Sequence, residues 1–495
     1  MERRVFLAAL AGTAAGCSSE VRSPAASRTP GGAMASERPT GPADWNALER
    51  GLGGRLIRPG DAAYGRARRL YIPRYDRIRP AGIAYCENAE DVAECVAFAT
   101  LKRMPVAVRG GGHNYAGWST GTGLVIDVSP MNAVKADGGR AVVGAGARLI
   151  DLYDGLAGAK AGVPAGTCPT VGVAGLTLGG GLGVMSRAHG LTSDFLESVR
   201  VVTADGRIRE CDARRDPELF WACRGGGGGN FGVAVEFAFR TFETGELTTF
   251  SLRYPWSRAA EAIAGWQRWA PDAPDGIWTS LQINASDGAP TVDITGVASG
   301  DPDLDPLVAA IGRDPSGDDS QRRSYLEAMK FTGGCAGQSA DECHAQGDLP
   351  GQRPEGRFPR TDYAGKSHIA YMPLSDGGIG ALVGRFGGSG VSGRSVLMDA
   401  MGGAIRKVGP ADTAFPHRRA LFCVQYLANG DDLGWLRATH RAMEPHLGGA
   451  AYVNYIDPDL RDWRRAYYGG NLDRLVKVKA AYDPESLLRF PQAVR

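Results

Sequence analysis

Two short stretches of this chain put a nucleophilic side chain beside glycine loops. In Arg109-Gly110-Gly111-Gly112-His113-Asn114, three consecutive residues lack side chains. Backbone N–H groups there can close on a diphosphate, and an imidazole ends the loop. In Ala165-Gly166-Thr167-Cys168-Pro169-Thr170-Val171-Gly172-Val173-Ala174-Gly175 a thiol stands between proline and glycines, and Gly179, Gly180, Gly181 and Gly183 follow. Such neighbours hold a sulfur rigidly, which suits a ligand or a point of attachment. A third candidate lies near the C-terminus, in Tyr452-Val453-Asn454-Tyr455-Ile456-Asp457. This stretch alternates like a strand end, so Asn454 and Tyr455 are expected on opposite faces. Tyr455 offers a phenol that can exchange a proton, although by pattern alone it reads as a packed aromatic. Gln425 is a polar residue in the apolar strand Leu421-Phe422-Cys423-Val424-Gln425-Tyr426 and needs a partner wherever it points.

Alternating strands and helices position these groups. Residues 81–85, 105–109, 123–128 and 141–145 read as short strands. Residues 88–103 have helical spacing, with Val92, Cys95, Val96 and Phe98 near one face, and 149–157 is a second helix. Residues 199–203 and 207–211 flank Ala204-Asp205-Gly206, a hairpin signal because Asp-Gly suits the turn. Glycines 225–229 precede a strand at 232–240. Beyond Phe242 the texture changes to alternating strands at 250–254, 278–285, 291–297 and 421–427, which suit an antiparallel sheet with one exposed face. The fold class expected is α+β. A leader over 1–44 precedes a first domain over 45–245, a second over 246–455, and a segment over 456–495 that returns to the first.

Five motifs in order, Arg109–Asn114 with the strand 121–129, 167–183, 220–232, 452–457 and 467–484, resemble the berberine-bridge-enzyme-like flavoprotein oxidases of the vanillyl-alcohol-oxidase and PCMH superfamily. The resemblance implies a PCMH-type FAD-binding domain of two subdomains, joined to a substrate domain whose antiparallel sheet is covered by helices. It implies FAD held bicovalently, with a His113 ring nitrogen on the flavin 8α-methyl and Cys168 sulfur on flavin C6. It places Arg109, Gly110, Gly111, Gly112, Asn114, Ser119, Val171, Gly172, Gly175, Gly179, Gly180, Gly181, Gly183, Gly232, Val233 and Asn471 around the cofactor. Tyr455 becomes the catalytic base and Gln425 a residue facing the flavin. Ala174 replaces a glycine of the pattern. Leu182 stands where many relatives carry tyrosine or phenylalanine, which puts a two-tyrosine mechanism in doubt and implies a more apolar floor. A free phenol is only about 0.1% ionised at neutral pH, so a nearby cation is expected, and Lys366 is one candidate. The activity implied is oxidation of an alcohol-type small molecule, such as a sugar, an oligosaccharide or a secondary alcohol of a natural product. Dioxygen is the implied acceptor because Val171 is small. A dehydrogenase of the same fold and a catalytically silent flavin-binding protein are the competing readings.

Composition narrows the field. The chain has 495 residues, enough for two domains, with 56 basic against 54 acidic side chains and a formal net charge of +2. That balance offers no attraction for nucleic acid or an anionic membrane. No metal site is expected, since Cys343-His344 lacks the second pair that zinc needs. Gly144-Ala145-Gly146 opens like a dinucleotide fingerprint, but Leu149 stands where its last glycine belongs. Glu2-Arg3-Arg4-Val5-Phe6-Leu7 reads as a twin-arginine export signal before an apolar stretch too short to span a bilayer. Cleavage after Ala33-Met34-Ala35 competes with a lipid anchor at Cys17. Among the nine cysteines, Cys335 with Cys343 is the expected disulfide, and Cys211 with Cys223 the weaker candidate.

Overall fold

The computed structural model describes residues 42–285, 290–387, 392–430 and 432–495. The export signal, Cys17 and the 33–35 site lie outside the described residues. The architecture is α+β, as expected, and it is carried by three sheets.

The first sheet holds β1 (Arg55–Ile57), β2 (Gly82–Tyr85), β3 (Val106–Arg109) and β4 (Leu124–Asp127) in the order β1-β2-β4-β3. β2 and β3 run parallel to β4, and β1 is antiparallel to β2. β2 and β3 run the same way on either side of β4, and the helix Ala89–Lys102 supplies the crossover between them. Its start is set by Asn88, whose side chain accepts the Asp91 N–H at 2.9 Å. It stops at Arg103, which adopts φ 51°. Cys95, Val96 and Phe98 are buried on its inner face.

The second sheet is antiparallel, with β5 (Val134–Asp137), β6 (Arg140–Gly144), β8 (Leu196–Val202), β9 (Ile208–Asp212) and β10 (Val233–Arg240) in the order β5-β6-β10-β8-β9. The expected hairpin is β8–β9, and Gly206 takes φ 75° in its turn. A two-stranded ribbon joins β7 (Ala161–Gly162) to β11 (Phe242–Glu243).

The third sheet has seven antiparallel strands: β12 (Leu247–Pro255), β13 (Ile277–Ala285), β14 (Thr291–Ser299), β15 (Gly317–Arg323), β16 (Tyr363–Ala370), β17 (Arg394–Ala400) and β18 (Phe422–Asn429). One face is apolar. Leu281, Ile283, Ile294, Val396, Met398, Val424 and Tyr426 form a core with the helices Ala259–Trp269, Asp376–Gly384 and Leu433–Leu447. Because side chains alternate across strands, the residues between these point the other way, toward the first two sheets.

The last segment closes the molecule over the glycines at 225–229. Lys479 Nζ donates to the Asn230 and Leu488 carbonyls at 2.7 Å each, and Tyr468 donates to the Gly226 carbonyl at 3.1 Å.

Cys335 and Cys343 form the expected disulfide, packed on Ile150. Cys211 and Cys223 are buried free thiols, so the weaker pairing is not made. The Cys343-His344 pair serves structure: the His344 ring pairs with Asp151, whose carboxylate caps the start of the helix Leu149–Ala157.

Candidate active site

The arginine that precedes the first glycine loop turns inward, away from the cavity. Arg109 forms a buried ion pair with Asp127 of the adjacent strand, and Asp127 also accepts the Ser129 N–H at 2.7 Å. Ser129 Oγ in turn donates to the Gly110 carbonyl at 3.2 Å. A charge buried this way is tolerable only because it is paired, and the pair fixes where the loop leaves β3. The loop meets the cysteine segment backbone to backbone. A Cβ on Gly111 would fall 2.2 Å from the Gly172 nitrogen, and one on Gly172 would fall 2.4 Å from the Gly111 nitrogen. No side chain fits at either position.

These loops form one wall of a cavity of ≈ 430 Å³. Gly110, Gly111, Gly112, His113, Asn114, Ser119, Cys168, Val171, Gly172, Gly175, Gly183 and Gly232 line it, together with Gly227–Gly229. His113 stacks on Tyr71, with ring centroids 3.8 Å apart. Burial and the charge of Arg148 hold the His113 imidazole down to about 3, so it is neutral at physiological pH. Burial pushes the Cys168 thiol up, against hydrogen bonds from Thr170 and from the backbone N–H groups of Thr170 and Val171.

Several expected cofactor residues stand elsewhere. Arg109 and Val233 are buried behind the wall. Gly179, Gly180 and Gly181 pack against Asn454, Phe415 and Thr192. Asn471 donates to the Pro410, Thr413 and Ala414 carbonyls at 2.8, 3.1 and 3.3 Å, and so braces the loop before Phe415 from outside the cavity.

The opposite wall comes from the third sheet and the C-terminal turn. Trp278, Asp399, Gln425 and Leu427 face the cavity from β13, β17 and β18. Gln425 donates to the Tyr115 hydroxyl. The Tyr115 ring stacks on Tyr455 at 5.5 Å and meets Tyr363 edge-on at 5.2 Å. Residues 452–457 are a turn, closed by the Tyr455 N–H on the Tyr452 carbonyl at 2.9 Å, and not a strand end. Strand alternation therefore does not apply, and Asn454 and Tyr455 both line the cavity. The two tyrosines of this turn differ. The Tyr452 oxygen accepts the Gly181 and Leu182 N–H groups and the Asn454 amide, at 3.0, 3.2 and 2.8 Å, so it is committed to holding the loop. Tyr455 is pushed well above the usual phenol range, first by burial and then by the charge of Asp399.

Lys366 is excluded as the phenolate's cation. It pairs with Tyr426 in the β16–β18 register and so lies on the helix-covered face, opposite Gln425. There it is held by Asp457 at 2.6 Å and Asp459 at 3.0 Å. The group near Tyr455 is an anion instead. Asp399, which sequence reasoning missed, faces the cavity beside Ser280 and Cys423, its register partners on either side. Burial pushes its carboxyl up to about 6. The available signal was one charged residue in the apolar run Val396-Leu397-Met398-Asp399-Ala400. Tyr115, one residue beyond the histidine motif, was missed as well.

The chain matches the family model described as "FAD binding domain" over residues 80–212 and the one described as "Berberine and berberine like" over 451–495. It is 32% identical over 465 residues to YgaK, an FAD-linked oxidoreductase of Bacillus subtilis, covering 90% of this chain and 97% of that one. The chain belongs to the berberine-bridge-enzyme-like FAD-linked oxidoreductases. Berberine bridge enzyme-like 23 of Arabidopsis thaliana is 28% identical over 79% of each chain. Among solved structures, the Physcomitrella patens BBE-like 1 superposes with a TM-score of 0.82 at 27% identity, over 91% of this chain and 98% of that one. A chitooligosaccharide oxidase superposes with a TM-score of 0.80 at 26% identity, over 91% and 99%.

The glycine wall of this oxidoreductase fits FAD. A Cβ at Gly175 would meet no protein atom, and one at Gly228 would have its nearest neighbour at 3.8 Å. Side chains are thus withheld along this wall where the cofactor needs room. An imidazole and a thiol face the same space.

Proposed function

We propose that this chain is an oxidase of carbohydrate-like alcohols that carries FAD on His113 and Cys168 and returns electrons to dioxygen, giving hydrogen peroxide. When bound, FAD supplies the acceptor for the hydride that leaves the substrate carbon. The protein's part is to receive the hydroxyl proton as that hydride departs. One observation carries the reading: Tyr455, Asp399 and Gln425 line the same cavity as the two attachment residues, and Tyr115 joins them through Gln425 and the Tyr455 ring. A phenol whose ionisation is opposed by burial and by a neighbouring anion is a poor standing phenolate. It can act as a base if its own proton leaves while the substrate's arrives. Asp399, ionised above about pH 6, takes the proton that leaves the phenol. Gln425 and Tyr115 offer hydrogen-bonding groups that suit a polyhydroxylated ring, and Tyr363 and Trp278 add apolar faces. The name of the chitooligosaccharide oxidase that shares the fold points the same way.

The test is anaerobic flavin reduction against a panel of mono- and oligosaccharides and aryl alcohols. Reduction by carbohydrates, followed by peroxide release on admitting air, is the expected outcome. Reduction by aryl alcohols alone would overturn the substrate class, and slow reoxidation in air would assign a different acceptor. Export by the twin-arginine route belongs to the same proposal, since that route carries proteins already folded around a cofactor. The double variant Arg3→Lys, Arg4→Lys should leave flavinylated precursor in the cytoplasm. Normal secretion of that variant would refute it.

A further inference from the structure

One hydroxyl touches both residues to which the flavin is proposed to bond. Thr170 is buried, and its Oγ1 lies 2.9 Å from His113 Nε2 and 3.6 Å from Cys168 Sγ. The turn that carries it is pinned at both ends to the start of the helix Leu149–Ala157. Ile150 N–H donates to the Pro169 carbonyl at 3.1 Å and Leu149 N–H to the Val171 carbonyl at 2.9 Å. Thr170 therefore cannot follow one partner without the other.

A threonine hydroxyl has one proton to give and two lone pairs to receive with. A neutral imidazole has one N–H and one lone pair, and the partner of one nitrogen sets the state of the other. If Nε2 carries the proton and donates it to Thr170 Oγ1, Nδ1 is left with the lone pair. The threonine O–H is then free to point at the sulfur, and donation to sulfur favours the thiolate, which is the reactive form. The opposite arrangement turns the hydroxyl toward Nε2, protonates Nδ1, and takes the donor away from the cysteine. One proton orientation thus readies both nucleophiles and the other disables both.

We propose that Thr170 couples the two flavin attachments, accepting a hydrogen bond from His113 Nε2–H so that the Nδ1 lone pair attacks, and donating a hydrogen bond to Cys168 Sγ that favours the attacking thiolate. The proposal rests on the double attachment put forward above. Each attachment is an oxidation. At the histidine, an N–H and a C–H of the flavin 8α-methyl are lost and a C–N bond forms. At the cysteine, an S–H and the C–H at flavin C6 are lost and a C–S bond forms. Each step releases two electrons and two protons, and dioxygen takes them as hydrogen peroxide.

The experiment is peptide mapping of acid-precipitated holoprotein, with the visible spectrum as a second readout. Wild type should yield one flavin joining the His113 and Cys168 peptides. Thr170→Val, which removes the hydroxyl at nearly constant volume, should lower the doubly linked fraction by about ten-fold or more, the scale of a lost hydrogen bond to a charged group. Thr170→Ser should restore it. In a His113→Ala background, adding Thr170→Val should still slow bonding at Cys168, because the donor to sulfur has gone. If Thr170→Val does not fold, Thr170→Ser against Thr170→Ala makes the same comparison. Full double linkage in Thr170→Val overturns the role of Thr170 and leaves the double attachment standing. Thr170→Ser failing as badly as Thr170→Val reduces the residue to packing and also overturns it. Flavin released by acid from wild type overturns the double attachment and this proposal with it.

Discussion

The glycine-loop wall and the sheet wall face the same cavity but take their residues from the chain differently. On the first, Gly110 to Asn114, and Cys168, Val171 and Gly172, reach the cavity from two short turns that interlock. On the second, Trp278, Asp399 and Gln425 are single positions on three strands whose neighbours in sequence point into a separate core. Loops present contiguous backbone, which suits a long cofactor held by many small contacts. Strands present every second side chain, which suits a few polar groups aimed at a substrate. The sheet wall is therefore where substrate preference can change without disturbing the cofactor.

Variants on the two walls should separate these roles. Tyr455→Phe removes one oxygen and little volume, so flavin loading should survive while the reductive step slows by roughly 100-fold or more, the scale of a lost general base; stopped-flow anaerobic reduction measures it. A near-normal rate would move the base elsewhere.

Asp399→Asn should slow the same step by roughly ten-fold or more. It should also flatten the pH profile. The wild-type carboxyl loses its proton near pH 6, so reduction should rise with pH through that value, and the amide variant should show no such limb. An unchanged limb would assign it to another group.

Val171→Leu, on the loop wall, should leave reduction alone and slow reoxidation in air-saturated buffer by about ten-fold, because one added methylene in a packed site displaces a diatomic molecule. Fast reoxidation in that variant would remove Val171 from the oxygen reading.

Lys366→Met should have the smallest effect on reduction, within about two-fold, as expected for a residue on the far face of the sheet. It should lower stability by about 3–5 kcal/mol, because it strips the cation from the buried Asp457, and chemical denaturation would show it. Slowed reduction in a stable variant would return Lys366 to the site.

The residues legible in the sequence are those whose surroundings are local. His113 and Cys168 stood out because the glycines that make room for a cofactor are their immediate neighbours, and the helix Ala89–Lys102 and the β8–β9 hairpin because cap and turn residues lie within a few positions. Four of the seven strands of the third sheet, β12, β13, β14 and β18, were legible too, because alternation is written along each of them, whereas β15, β16 and β17 were not read from the sequence. Which face of that sheet meets the cavity was not legible either. That depends on register between strands far apart in sequence, so Lys366 was given a role on the wrong face and Asp399 none at all. Asn471 and Gly179–Gly181 sit within motifs yet brace the wall from behind, since a motif records which residues must be near a site and not which of them reach it. Tyr455 was legible as a phenol in a motif. That its charged neighbour is a carboxylate was decided only when the sheet closed over the glycine loops and brought β17 against the C-terminal turn.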